Sequence, residues 1–139
     1  MDHSIATTVD ARVCKIGRAE MDTLLDHHPK VARAMYIAQL TDEGTLRAWI
    51  TSMGRRSSVE RVAHLMCGLY LRARNIGLVT SREFDLPISQ IILADALGMT
   101  PVHINRVLKE LRLSGAMLLK RGSLTVHDPQ KIGRDRGLR

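Results

Sequence analysis

Val102, His103 and Arg106 stand three and four residues apart in a stretch with helix signals at both ends, so they are neighbours on one helix face. Lys109 follows one turn later on the same face. The guanidinium of Arg106 can fork two N–H groups onto the O6 and N7 of a guanine. His103 can donate or accept, and Val102 can touch a thymine methyl. Lys109 can lie against a phosphate. This is the chemistry of reading an edge through hydrogen bonds. A solvated basic face on an amphipathic helical hairpin has the same pattern, and the pattern alone does not separate the two.

The other chemistry-bearing residues carry less. His64 and Cys67 sit at i and i+3 of a second helical stretch, but no third group or oxyanion site accompanies them. His27 and His28 are adjacent, hence about 100° apart on a helix, and do not share one metal readily. Glu20, Asp22 and Asp26 read as surface charge. Cys14 and Cys67 form no C-x-x-C pair and read as small apolar side chains. No catalytic group, metal or cofactor is predicted.

The elements that must position the first set are legible nearby. Ser89 is placed as an N-cap for a helix from about Gln90 to Leu97, and Gly98 stops it. Thr100 caps the next helix, with Pro101 in its first position. Ile104, Val107, Leu108 and Leu111 form the core-facing stripe of that second helix. Two helices with a short Gly-containing turn make a helix-turn-helix. Short apolar runs at Ala116 to Leu119 and Leu124 to Val126 flank Lys120-Arg121-Gly122-Ser123, a β-hairpin signal. The hairpin would be a wing with a basic tip, or a plain cover for the core edge.

Here the chain resembles the C-terminal domain of the Crp/Fnr family of bacterial transcription regulators. The resemblance rests on Gln90, Leu93-Ala94, Ala96-Leu97-Gly98, Thr100, His103-Ile104-Asn105-Arg106, Leu108, Leu111-Arg112 and Gly115. It is densest from 86 to 126 and continues upstream through Ser57 to Arg74. Ile91 and Ile92 depart from it, standing where the family usually has polar or acidic residues.

Composition agrees with an anionic partner. The 139 residues carry a net charge of +7, with 45% hydrophobic and only 3% aromatic residues. From Ser89 onward nine Lys/Arg face four Asp/Glu; before it twelve face ten. The surplus therefore tracks the helix-turn-helix and hairpin. No apolar run approaches the ~20 residues of a membrane span, and no signal pattern opens the chain. A cytoplasmic protein is expected.

Upstream, Ser4 to Ile16 suggests strands around a turn at Asp10, which the resemblance reads as the last part of a cyclic-nucleotide-type β-roll. The phosphate-cradling Gly-Glu…Arg cassette of that roll is missing. Arg18 to His28 predicts a short helix with Met21, Leu24 and Leu25 on one face. A longer helix is predicted from about Lys30 to Met53, with Val31, Met35, Ala38, Asp42, Thr45, Trp49 and Met53 as an imperfect a/d seam. The resemblance implies that this helix pairs with its twin; a single helix packed on its own domain is the alternative. Gly54-Arg55-Arg56 is expected to break it as a hinge. Ser57 to Glu60 is a capping box for a helix to about Asn75, ended by Gly77 and burying Val59, Val62, Ala63, Met66, Leu69 and Tyr70. Phe84 to Ile88 reads as a short strand or an extended lead into Ser89, with Pro87 forbidding helix, and Asp128-Pro129 as a further cap before a frayed tail.

The expected fold is mainly α: a winged helix-turn-helix domain (55–139) preceded by a long dimerisation helix (29–54) and a β-roll remnant with a short helix (1–28). The expected function is sequence-specific DNA binding in transcription regulation. Val102, His103 and Arg106 would contact bases. Gln90, Thr100, Lys109, Arg112, Lys120 and Arg121 would contact phosphates. Double-stranded DNA and a second copy are the expected partners, with RNA polymerase a further candidate and no membrane. A protein–protein interaction module and an inactive fragment of a longer regulator remain as alternatives.

Overall fold

The computed structural model describes residues 5–79 and 81–127. Its elements are, in order, α1 (Arg18–His27), α2 (Pro29–Arg55), α3 (Ser58–Asn75), β1 (Glu83–Asp85), α4 (Gln90–Leu97), α5 (Pro101–Leu113), β2 (Met117–Lys120) and β3 (Ser123–Val126). The protein is mainly α, as its patterning predicts. The chain divides into two units, Met1–Thr51 and Ser52–Arg139. The signals at Asp128-Pro129 and the tail lie outside the described residues.

In the first unit, α1 half-buries Met21, Leu24 and Leu25, the apolar face expected of it. Residues 5–17 form neither helix nor strand and are exposed, which corrects the strands expected around Asp10. β-branched residues favour a pleated surface only when a partner strand completes the ladder, and none does so among the described residues. The long helix α2 starts at Pro29, whose missing N–H costs nothing in the first turn. It then runs through Gly54 and ends at Arg55, with a bend at Arg56, so the helix breaks within the expected Gly54-Arg55-Arg56 stretch, after the glycine rather than at it. One glycine costs a helix only about 1 kcal/mol and does not by itself break it. The chain then passes at once to Ser57, the N-cap of α3. Along α2, Thr45 and Trp49 are half-buried, while Val31 is 38% and Met35 46% exposed, as are Ile37 and Leu40 off the seam.

The second unit builds one core from α3, α4, α5 and a three-stranded antiparallel sheet. Ser57 opens α3 with a full capping box: its hydroxyl accepts from the Glu60 amide, and the Glu60 carboxylate accepts from the Ser57 amide at 2.7 Å. Val62, Ala63, Met66, Tyr70 and Ala73 are buried along its inner face. Val59 and Leu69 are only half-buried, because they flank that stripe rather than occupy its centre.

The sheet order is β1-β3-β2. In β2 and β3, Leu119 faces Leu124 and Met117 faces Val126; in β1, Phe84 faces Leu124. Leu124 and Val126 are fully buried, so β3 alternates inward and outward as a half-buried strand should. The short strand or extended lead expected at Phe84 to Ile88 is a strand at Glu83–Asp85 and irregular beyond it. Beyond it, the Leu86 amide donates to the Gly122 carbonyl at 2.6 Å, tying the entry to α4 against the β2–β3 turn. That turn has positive φ at both central residues, Arg121 (+52°) and Gly122 (+79°), the signature of a type I′ hairpin whose twist suits its strands.

Between α4 and α5 the backbone reverses through Gly98 at φ +60°. The Gly98 amide donates to Asp95 O at 3.3 Å and the Met99 amide to Ala94 O at 2.9 Å, which satisfies the last carbonyls of α4. A Cβ at Gly98 would meet only Met53 Cε at 3.7 Å, an ordinary contact, so the demand for glycine comes from backbone conformation. Gly98→Ala is therefore expected to cost about 1–2 kcal/mol, the left-handed penalty for a residue with a Cβ. Urea unfolding reads this as a lower midpoint at unchanged slope; an unshifted midpoint would contradict it.

Candidate nucleic-acid interface

The positioning of α5 is set at its first turn. The Thr100 hydroxyl accepts from the His103 amide at 3.2 Å, and Pro101 follows in the first helical position. Ser89 does the same for α4, accepting from the Ile92 amide at 3.2 Å. Each helix thus has one of its orphan donors satisfied locally and starts at a defined residue. Ile104, Val107 and Leu111 bury the inner face of α5; Leu108, expected with them, is half-buried at the margin. Arg61 on α3 adds a brace that sequence reasoning does not find: its Nη1 donates to the Leu97 carbonyl at 3.4 Å, at the turn. Only the fold brings residues 61 and 97 together.

The outer face of α5 carries the predicted base-reading set. Val102 is 79% exposed, Arg106 is exposed and His103 half-buried. The side chains of His103 and Arg106 touch, with Arg106 Nη2 at 2.7 Å from His103 Nδ1. All three lie in the N-terminal half of the helix, the half that a recognition helix presents to base edges.

Three of the predicted phosphate-contact residues come together. Gln90 at the start of α4, and Lys109 and Arg112 on α5, line one open cleft of about 370 Å³ with Asn105. Leu108, Leu118 and Leu119 form its apolar floor. Asn105 is not among the site residues expected from sequence, although 105, 109 and 112 lie on one helical stripe and their spacing places it there. Lys120 and Arg121 lie apart from this cleft, along a second depression that also takes in Glu83, Ser123 and Thr125. Ser123 Oγ donates to Glu83 Oε1 at 2.6 Å, which keeps that carboxylate occupied beside the two cations. Thr100 stands at the N-cap of α5; its oxygen accepts from the His103 amide, and its hydroxyl proton remains available to an anion.

His64 and Cys67 do not have the electrostatics of a nucleophile and its base. Burial pushes the Cys67 thiol up to about 11. Burial, and then the charge of Arg56, lower His64 from its ordinary value. A reactive cysteine needs the opposite shift, toward thiolate at neutral pH. No described helix is long and apolar enough to cross a membrane.

Known proteins resemble the segment that carries these residues. A family model for the Crp-like helix-turn-helix domain matches residues 60–134. A probable transcriptional activator of Rhizobium leguminosarum bv. viciae is 29% identical over 117 residues, 84% of this chain and 48% of the relative. The nitrogen fixation regulation protein FixK of Bradyrhizobium diazoefficiens is 27% identical over 121 residues, 86% of this chain and 50% of the relative. The chain spans about half the length of the curated relatives it matches. In fold, FixK2 from Bradyrhizobium japonicum matches with a TM-score of 0.72 at 20% identity, over 89% of this chain and 61% of that one. A CooA mutant from Carboxydothermus hydrogenoformans matches with a TM-score of 0.67 at 18% identity, over 83% and 53%. The matched family segment runs from α3 through the helix-turn-helix and the β2–β3 hairpin, and by it the chain belongs to the Crp/Fnr family.

Proposed function

We propose that the chain is a sequence-specific DNA-binding regulator of transcription that lays α5 in the major groove. The observation that carries this reading is the outer face of α5. A hydrogen-bonding, cationic set occupies the N-terminal half of a helix that is capped at its first turn and packed along its other face. Val102, His103 and Arg106 contact base edges. Gln90, Lys109 and Arg112 hold the phosphates beside the groove, Thr100 one at the helix start, and Lys120 and Arg121 those reached by the wing. The names of the relatives, a transcriptional activator and a regulation protein, support regulation of transcription.

The protein acts as a homodimer through α2, and as a cytoplasmic protein. Support for the dimer comes from the apolar residues that α2 leaves exposed, Val31, Met35 and Met53 among them on the predicted seam. A symmetric pair would present two recognition helices to half-sites about one DNA turn apart, roughly 34 Å. RNA polymerase is the natural second partner of such a regulator.

Salt dependence of duplex binding tests the proposal. Lys109, Arg112, Lys120 and Arg121 each neutralise a phosphate in this reading. Log affinity should therefore fall with log salt at a slope of about −3 to −4 per protomer, near −0.9 per contact. Fluorescence anisotropy of a labelled duplex between low and moderate salt measures it. A flat titration would sink the proposal and favour a protein–protein module.

A further inference from the structure

We infer that His103 and Arg106 read DNA as one coupled, donor-only unit, in which the arginine fixes the tautomer of the histidine and the histidine fixes the aim of the arginine; the inference rests on the DNA-binding reading above. Arg106 Nη2 lies 2.7 Å from His103 Nδ1. A guanidinium has donors and no acceptor, so Nδ1 must be the acceptor in this contact. The ring then carries its proton on Nε2. Which nitrogen of a histidine is protonated is set by the hydrogen bond that the other one makes, and here that bond comes from a neighbour one turn along the same helix.

Two consequences follow for recognition. The first is aim. An exposed arginine samples many rotamers, and ordering them on binding opposes affinity. The contact with Nδ1 holds one N–H of the guanidinium and leaves the rest of its fork to reach outward. The backbone under the ring is held too, because the His103 amide donates to the Thr100 hydroxyl at 3.2 Å. The second is chemistry. The pair offers the His103 Nε2–H and the remaining guanidinium N–H groups, and no acceptor. In the major groove, guanine O6 and N7, adenine N7 and thymine O4 accept, while cytosine N4 and adenine N6 donate. The unit therefore selects a guanine under Arg106 and an acceptor-bearing base (guanine, thymine, or adenine through N7) under His103. It rejects cytosine at that second position, where donor would meet donor.

Coupling distinguishes this from two residues reading independently. The full-length chain, His103→Ala, Arg106→Ala, the double variant and His103→Gln are each used to select bound sequences from a random duplex pool. Each is then titrated on the wild-type site. His103→Ala should weaken the guanine preference at the Arg106 position as well as the preference at its own. The double variant should bind about tenfold better than the product of the two single losses predicts, the scale of coupling between touching residues. Glutamine, which can accept from Arg106 and still donate outward, should restore most of the guanine preference. In the free protein, imidazole ¹⁵N shifts should show Nε2 protonated and Nδ1 bare, and Arg106→Ala should move the ring toward a mixture. Multiplicative losses, an unchanged guanine preference in His103→Ala, or a protonated Nδ1 in the free wild type would each overturn the inference while leaving DNA binding intact. A wild type that enriches no sequence overturns the DNA-binding reading, and the inference with it.

Discussion

Leu97→Ala is expected to lower the unfolding free energy by about 2–5 kcal/mol, the range for removing a buried leucine side chain from a packed core. Leu97 is fully buried at the end of α4, in the core that also encloses Met66 and Ile104. Its backbone carbonyl accepts from Arg61, so the residue is fixed both by packing and by a hydrogen bond. A domain of this size has only about 5–15 kcal/mol to lose, and the variant should sit near the edge of folding. Urea denaturation followed by circular dichroism measures the loss. A change below about 1 kcal/mol would mean that the site collapses around the smaller side chain and that α4 is not held as described.

Arg106→Ala is expected to cost about 1–3 kcal/mol on the preferred duplex and to relax selection at one base pair. Arg106 is exposed, so the fold should be unaffected and melting should not move. Lys120→Ala at the wing tip should behave differently. It should weaken all duplexes alike and reduce the salt slope by about one unit. The two variants are compared on the selected site and on scrambled duplex at one fixed salt, because affinity without a stated salt has no meaning here. Equal losses on both duplexes for Arg106→Ala would reassign it to a phosphate, and the reading face of α5 would then lie elsewhere.

Much of the helix-turn-helix is legible in the sequence because its punctuation is local. Ser89, Gly98, Thr100 and Pro101 each act within one turn of where they stand, and α4 and α5 begin at the residues they imply. The hairpin turn at Arg121-Gly122 and the capping box at Ser57 are legible for the same reason. Non-local features are not. The pairing of β1 with β3 joins Glu83 to Thr125, and the brace from Arg61 to Leu97 spans thirty-six positions. The break expected at Gly54-Arg55-Arg56 falls after Arg55 rather than at the glycine, because a helix tolerates one glycine when the residues around it favour helix. Strands expected in 5–17 fail because β-propensity depends on a neighbour that the local sequence does not reveal. For the site itself, the outer face of α5 was readable from its period. That His103 accepts from Arg106 was not, because spacing shows only that two side chains can meet and leaves their roles open.

The most direct measurement on the central claim is selection of bound sequences from a random duplex pool by the intact chain. A regulator that places α5 in the major groove should enrich one half-site containing a guanine. As a symmetric dimer it should enrich that half-site as an inverted repeat, with centres about one helical turn apart. A pool that emerges with no enrichment over its input, at a salt where binding is retained, would contradict sequence reading by this face of the protein.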